Sequence, residues 1–152
     1  MNIKNSAFTI ILLIMTYATA SAQNAKDSVF TGALSTQDHY NALYILNDSN
    51  TKKIQGILRN IKNVLNDPRL KGKLKIELVV FGDGVELFKK TNHFDTTLLK
   101  LKEQGVILAQ CSNTLKEKKI EKTELWPFID YVPTGNGEIV IRHYQGWATV
   151  HP

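Results

Sequence analysis

The sequence has 152 residues, of which 43% are hydrophobic, 22% charged and 9% aromatic, and 19 Lys and Arg against 14 Asp and Glu give a formal charge of +5. That is the length and composition of one globular domain, and it excludes a disordered tail protein, a collagen-like chain and a disulfide-stapled miniprotein. The positive excess is small and scattered, so it does not point to nucleic acid, and a single cysteine, Cys111, permits no intrachain disulfide.

Residues 1–22 have the three parts of a secretory signal peptide: a start charged at Lys4, an apolar run from Ala7 to Tyr17, and the small residues Ala18-Thr19-Ala20-Ser21-Ala22. A run of roughly 11 apolar residues is too short to span a hydrocarbon core of ~30 Å. The segment therefore reads as an address cleaved after Ala22, not as an anchor. The expected product is periplasmic or secreted, with no transmembrane segment after cleavage. Residues 23–38 are polar and aperiodic and read as a flexible leader before a domain at 39–152.

In the domain, strand and helix patterns alternate. Tyr40 to Leu46 predicts a strand, and Asn47-Asp48-Ser49-Asn50 supplies turn and capping residues. From Thr51, the spacing of Ile54, Ile57, Leu58, Ile61, Val64 and Leu65 predicts an amphipathic helix that stops at Asn66-Asp67-Pro68. Leu74 to Phe81 predicts a strand buried on both faces, ending at the turn Gly82-Asp83-Gly84, with a short helix from Val85 to Lys90. Phe94 to Gln104, closed by Gly105, predicts a second helix. Val106 to Gln110 is a short strand with Cys111 at its end, followed by Ser112-Asn113-Thr114 and the charged run Lys116 to Lys119. A helical turn (Lys122 to Trp126), a strand (Ile129 to Val132), a helix (Asn136 to Tyr144) and a last strand (Ala148 to His151) complete the chain. This alternation implies βαβ units and a mainly parallel sheet with helices on both faces.

Cys111 carries the most chemistry. In open parallel sheets, ligands collect at the carboxyl ends of strands. A capping Ser-Asn-Thr segment would begin a helix whose free N–H groups favour a thiolate over a thiol. Lys116, Lys118 and Lys119 would add positive potential. Set against this, free cysteine is among the most buried residue types and is usually inert.

Gly105-Val106-Ile107-Leu108-Ala109-Gln110-Cys111-Ser112-Asn113-Thr114-Leu115 resembles the G-V-x-(F/L)-x-x-C-x-N-T-L signature of the DsrE/DsrF-like family. Ile57 to Leu65 resembles that family's L-x-N-I-x-N-L-L helix. Glu77 to Gly84, Tyr131-Val132-Pro133-Thr134-Gly135 and the ending Gln145 to Pro152 are similar to further family segments, in order along the chain. Phe81 stands where many relatives have histidine. The resemblance implies a three-layer α/β/α sandwich with a mostly parallel five-stranded sheet. It also implies assembly into a homo-oligomer, a trimer or hexamer, and a sulfur relay in which a cysteine holds sulfur as a persulfide. Cys111 is the matching catalytic position, with Gly82, Asp83, Gly84, Ser112, Asn113 and Thr114 as binding residues. No cofactor or metal is needed. Sulfur donor and acceptor proteins, or small sulfur compounds, are the implied partners.

Other features point elsewhere. Gly82-Asp83-Gly84 lacks a following glycine and reads as a turn, not a dinucleotide fingerprint. His39, His93, His143 and His151 have no metal-ligand spacing. Asp83 and Glu86 read as solvated turn charges, and Trp126 and Trp147 as core or subunit-contact residues. Three readings follow: a sulfur relay, a non-catalytic small-ligand-binding module, or a structural subunit with an inert cysteine.

Overall fold

The computed structural model describes residues 30–151. The predicted signal peptide, its cleavage point, leader residues 23–29 and Pro152 lie outside the described residues. The chain divides into residues 1–34 and one compact unit, residues 35–152, to which the elements below belong.

In chain order these are β1 (Tyr40–Leu46), α1 (Thr51–Leu65), β2 (Leu74–Val80), a 3-10 segment (Gly82–Phe88), α2 (Asp95–Glu103), β3 (Ile107–Cys111), α3 (Ser112–Lys118), a 3-10 turn (Lys122–Glu124), β4 (Asp130–Val132), α4 (Gly135–Tyr144) and β5 (Ala148–Val150). The predicted turn and short helix at 82–90 merge into the single 3-10 segment, and the predicted helical turn at 122–126 contracts to three residues. α1 starts where the Asn50 side chain accepts from the backbone N–H groups of Lys52 (2.9 Å) and Lys53 (3.3 Å). That cap satisfies donors that the first turn otherwise leaves orphaned. α2 ends at Gln104, and Gly105 follows with φ +86°, a conformation open to glycine at little cost.

The five strands pair in the order β4-β3-β2-β1-β5, and every pairing is parallel. The chain steps outward from β1 through β2 and β3 to β4, then returns past β1 to place β5 on the far side. Right-handed crossovers make that reversal of direction a change of face. Core packing follows the change. Tyr44, Leu46, Leu78, Val80 and Leu108 of the sheet bury against Ile54, Ile57, Leu58 and Ile61 of α1, Leu98 and Leu101 of α2 and Leu115 of α3. Leu43, Ile45 and Val79 on the opposite face pack with Trp147, Phe81, Val132 and Ile139 of α4. The architecture is a three-layer α/β/α sandwich, thick on one side and covered by α4 on the other. Each buried aliphatic side chain contributes about 1.5–3 kcal/mol of transfer free energy.

Glu77 interrupts the apolar run of β2. It is fully buried, and its Oε2 accepts from Arg142 Nε at 2.8 Å, with Arg142 Nη2 at 2.7 Å. Arg142 also pairs with Glu138 at 2.8 Å, and its guanidinium carbon lies 4.3 Å from the centroid of the Trp147 ring. Strand β2, helix α4 and the chain entering β5 are joined through one side chain. No helix among the described residues is long and apolar enough to cross a membrane.

Candidate active site

The reversal of winding direction shapes the site. β3 and β4 are neighbours, but the helix after β3 lies on one face and the helix after β4 on the other. Where successive helices diverge in this way, a crevice opens at the carboxyl ends of the strands. The crevice here has a volume of ≈ 360 Å³ and is lined by Phe81, Gly82, Cys111, Asn113, Thr114, Glu117, Thr134, Gly135 and Asn136.

Cys111 ends β3 and is itself the N-cap of α3, with extended backbone and its Sγ accepting from the Thr114 N–H at 3.4 Å. The sequence placed the cap on Ser112-Asn113-Thr114. Ser112 instead opens the helix, because a thiol sulfur one residue earlier takes the orphaned N–H. The thiol is 4% exposed and lies at the inner wall of the crevice. Burial pushes its pKa up and is the largest single influence. Hydrogen bonds from the Thr114 side chain and from the backbone N–H groups of Thr114, Gly135 and Asn113 favour the thiolate, and together they bring the pKa below the ordinary thiol value.

Three contacts fix the walls. Gly82, at φ +54°, donates its N–H to Thr114 Oγ1 at 3.0 Å, joining the end of β2 to α3. The Asn113 N–H donates to Pro133 O at 3.2 Å, joining α3 to the loop after β4. Thr134 caps α4, its Oγ1 accepting from the Gly137 N–H at 3.1 Å. The ring of Phe81 lies against Gly135 so closely that a Cβ there would sit 2.6 Å from Phe81 Cδ1. Gly135 is therefore required by steric fit.

The crevice gathers Gly82, Cys111, Asn113 and Thr114 of the residues expected from sequence, and leaves out three. Asp83 is exposed and pairs with Lys118 at 2.6 Å. Gly84 is buried against β1, where an added Cβ would lie 2.5 Å from the Leu46 carbonyl oxygen. Ser112 lines a different cavity, with Leu115, Lys116, Lys119 and Ile120. The lysine potential expected over Cys111 is corrected by the same observations: Lys118 is held by Asp83, and Lys116 and Lys119 face that other cavity. The Thr114 hydroxyl and the backbone N–H groups of Thr114, Gly135 and Asn113 polarise the thiol instead. Glu117, Thr134, Gly135 and Asn136 join the site from positions not singled out as binding residues. The Pro133-Thr134-Gly135 step after a strand was the signal available for three of them, since Thr before Gly-Asn-Gly-Glu is a capping pattern. Glu86 pairs with Lys89 at 2.6 Å.

No family model matches the chain. Two proteins named "Probable beta-glucosidase M", from Neosartorya fischeri and Aspergillus fumigatus, are 32% and 31% identical to it over 90 residues. The matched stretch covers 56% of this chain, and the chain spans 12% of the length of those relatives. Among solved structures, the protein of unknown function MTH1491 from Methanobacterium thermoautotrophicum is similar at a TM-score of 0.70 and 26% identity, covering 74% of this chain and 99% of that one. The conserved protein of unknown function BT1422 from Bacteroides thetaiotaomicron is similar at a TM-score of 0.57 and 17% identity, covering 80% and 100% of the two chains. These likenesses agree with the α/β/α layering.

Proposed function

We propose that the protein is an exported, DsrE/DsrF-like sulfur carrier in which Cys111 accepts a sulfane sulfur, holds it as a persulfide and passes it on. The observation that carries this reading is a thiol in a crevice whose backbone and side-chain donors favour its ionised form. A thiolate is the species that attacks sulfur. With a hydropersulfide donor the step is Cys–S⁻ + R–S–SH → Cys–S–SH + R–S⁻. One S–S bond forms at Sγ, the donor's S–S bond breaks, the electron pair leaves on the donor thiolate, and no net oxidation occurs. No cofactor enters this step.

The proposal includes a periplasmic or secreted location, which rests on residues 1–22, and a homo-oligomer of trimer or hexamer size. α4 supports the assembly, with Val140 55%, Ile141 53% and Tyr144 87% exposed along it. Contiguous apolar surface of that kind marks interaction sites. Trp147 is only 7% exposed and held beneath Arg142, so the contact falls to α4.

The low exposure of Cys111 favours a second reading, a packed and silent thiol in a structural subunit. Intact-mass measurement after exposure of the native protein to an uncharged alkyl hydropersulfide separates the two. The carrier gains the mass of one sulfur atom, and Cys111→Ala gains none. An unchanged mass in the unaltered protein supports the silent thiol.

A further inference from the structure

Among the described residues, the crevice around Cys111 has one charged side chain in its lining, Glu117. Its position is fixed, because the Asn113 Nδ2 donates to Glu117 Oε1 at 2.7 Å. The two residues are one turn apart on α3, and both line the crevice. Of the cations that sequence places nearby, Lys118 donates to Asp83 at 2.6 Å and also attracts Glu117 weakly, while Lys116 and Lys119 line a separate cavity with Ser112 and Ile120. A molecule approaching the ionised thiol therefore meets a second negative charge in the lining, offset only in part by Lys118, which lies outside the lining and is hydrogen-bonded to Asp83.

We infer that Glu117 sets the charge class of the sulfur donor, so that the crevice takes uncharged sulfane-sulfur donors and turns away dianions such as thiosulfate. This inference rests on the relay reading and adds to it the class of donor. A dianion is repelled by both the thiolate and the carboxylate, whereas a protonated hydropersulfide is repelled by neither. The chemistry points the same way, since a thiolate attacks the uncharged R–S–SH form and not its anion. Glu117 also disfavours that anion within the crevice. The carboxylate is exposed to solvent, so its influence is that of one screened charge and weakens as salt is added.

The test compares the rates at which iodoacetate, an anion, and iodoacetamide, its uncharged analogue, alkylate Cys111 in the folded full-length protein. Glu117→Gln keeps the length and the hydrogen bond to Asn113 and removes the charge. Glu103→Gln, at the end of α2 and outside the crevice lining, removes a charge elsewhere. The iodoacetate-to-iodoacetamide rate ratio is expected to rise about twofold to fivefold in Glu117→Gln at low salt, the weight of one exposed charge. The rise should shrink as salt is added and be absent in Glu103→Gln. An unchanged ratio, or an equal rise in Glu103→Gln, overturns the inference and leaves the relay standing. A shifted ratio in a protein that gains no sulfur from an uncharged alkyl hydropersulfide removes the relay and leaves the charge selection. No labelling of the native protein by either reagent overturns both.

Discussion

At the scale of single residues, the behaviour of Cys111 depends on opposing influences. Burial favours the thiol, while hydrogen bonds led by those from Thr114 favour the thiolate and prevail. An alkylation-rate profile against pH should therefore have its midpoint below that of the unfolded protein's cysteine. Thr114→Val removes the hydroxyl that contributes to this and that accepts from Gly82, so its midpoint should move upward. The same shift links to stability. Between the lowered native pKa and the ordinary unfolded one, the native state binds fewer protons than the unfolded state, so stability rises with pH across that window. The contribution is fully present above the unfolded pKa and is lost as pH falls through the native one. Urea unfolding of the unaltered protein against Cys111→Ala across the window should show that slope as the difference. Gly135→Ala places a methyl group against the Phe81 ring, and a loss of about 1–3 kcal/mol is expected from overpacking. The place of Cys111 at a strand end was legible in sequence because a lone cysteine closing an apolar strand is conspicuous. Glu117 was not, since within Lys116 to Lys119 it reads as one more solvated charge, and only the bond from Asn113 orients it toward the crevice.

At the scale of elements, hydrophobic periodicity located the strands and helices closely, because buried β1, β2 and β3 and the apolar stripe of α1 have unmistakable spacing. The 82–90 stretch was read as turn plus helix. It forms a 3-10 segment in which Gly82 takes φ +54° and Gly84 meets the close-packed backbone of Leu46, a constraint set by a distant residue. Glu77 was visible as an interruption of β2, but its partner lies 65 residues away on α4. Burial, with the neighbouring Glu138 carboxylate, pushes the Glu77 pKa up against the pull of Arg142. The native state thus binds more protons than the unfolded one above the ordinary glutamate pKa, and through that window stability falls as pH rises. Arg142→Met leaves Glu77 charged, buried and without its cation, and a loss of about 3 kcal/mol at neutral pH is expected by urea unfolding. The loss should diminish at acid pH, where Glu77 takes up a proton. A deficit independent of pH would mean that Arg142 stabilises through its stacking on Trp147 instead.

At the scale of the whole molecule, alternation of strands and helices was enough to indicate a parallel α/β sheet. It did not reveal that the β4 to β5 connection reverses direction, because strand order depends on pairing between distant segments. Among the described residues, that reversal places α4 as the one helix on its face, and it opens the crevice beside Cys111. It also leaves Val140, Ile141 and Tyr144 exposed. Light scattering is expected to give the mass of a trimer or larger, with Ile141→Glu shifting the population toward monomer. A monomer mass for the unaltered protein at micromolar concentration would contradict the proposed assembly.

The relay itself requires that sulfur be returned as well as taken. The most direct measurement loads the native protein with an uncharged alkyl hydropersulfide, removes the excess, adds a low-molecular-weight thiol and follows intact mass. The account predicts one sulfur atom gained at Cys111, its loss to the added thiol as R–S–SH, and recovery of the starting mass, with no gain in Cys111→Ala. A protein that takes up no sulfur, or one whose added sulfur the thiol never recovers, would contradict it.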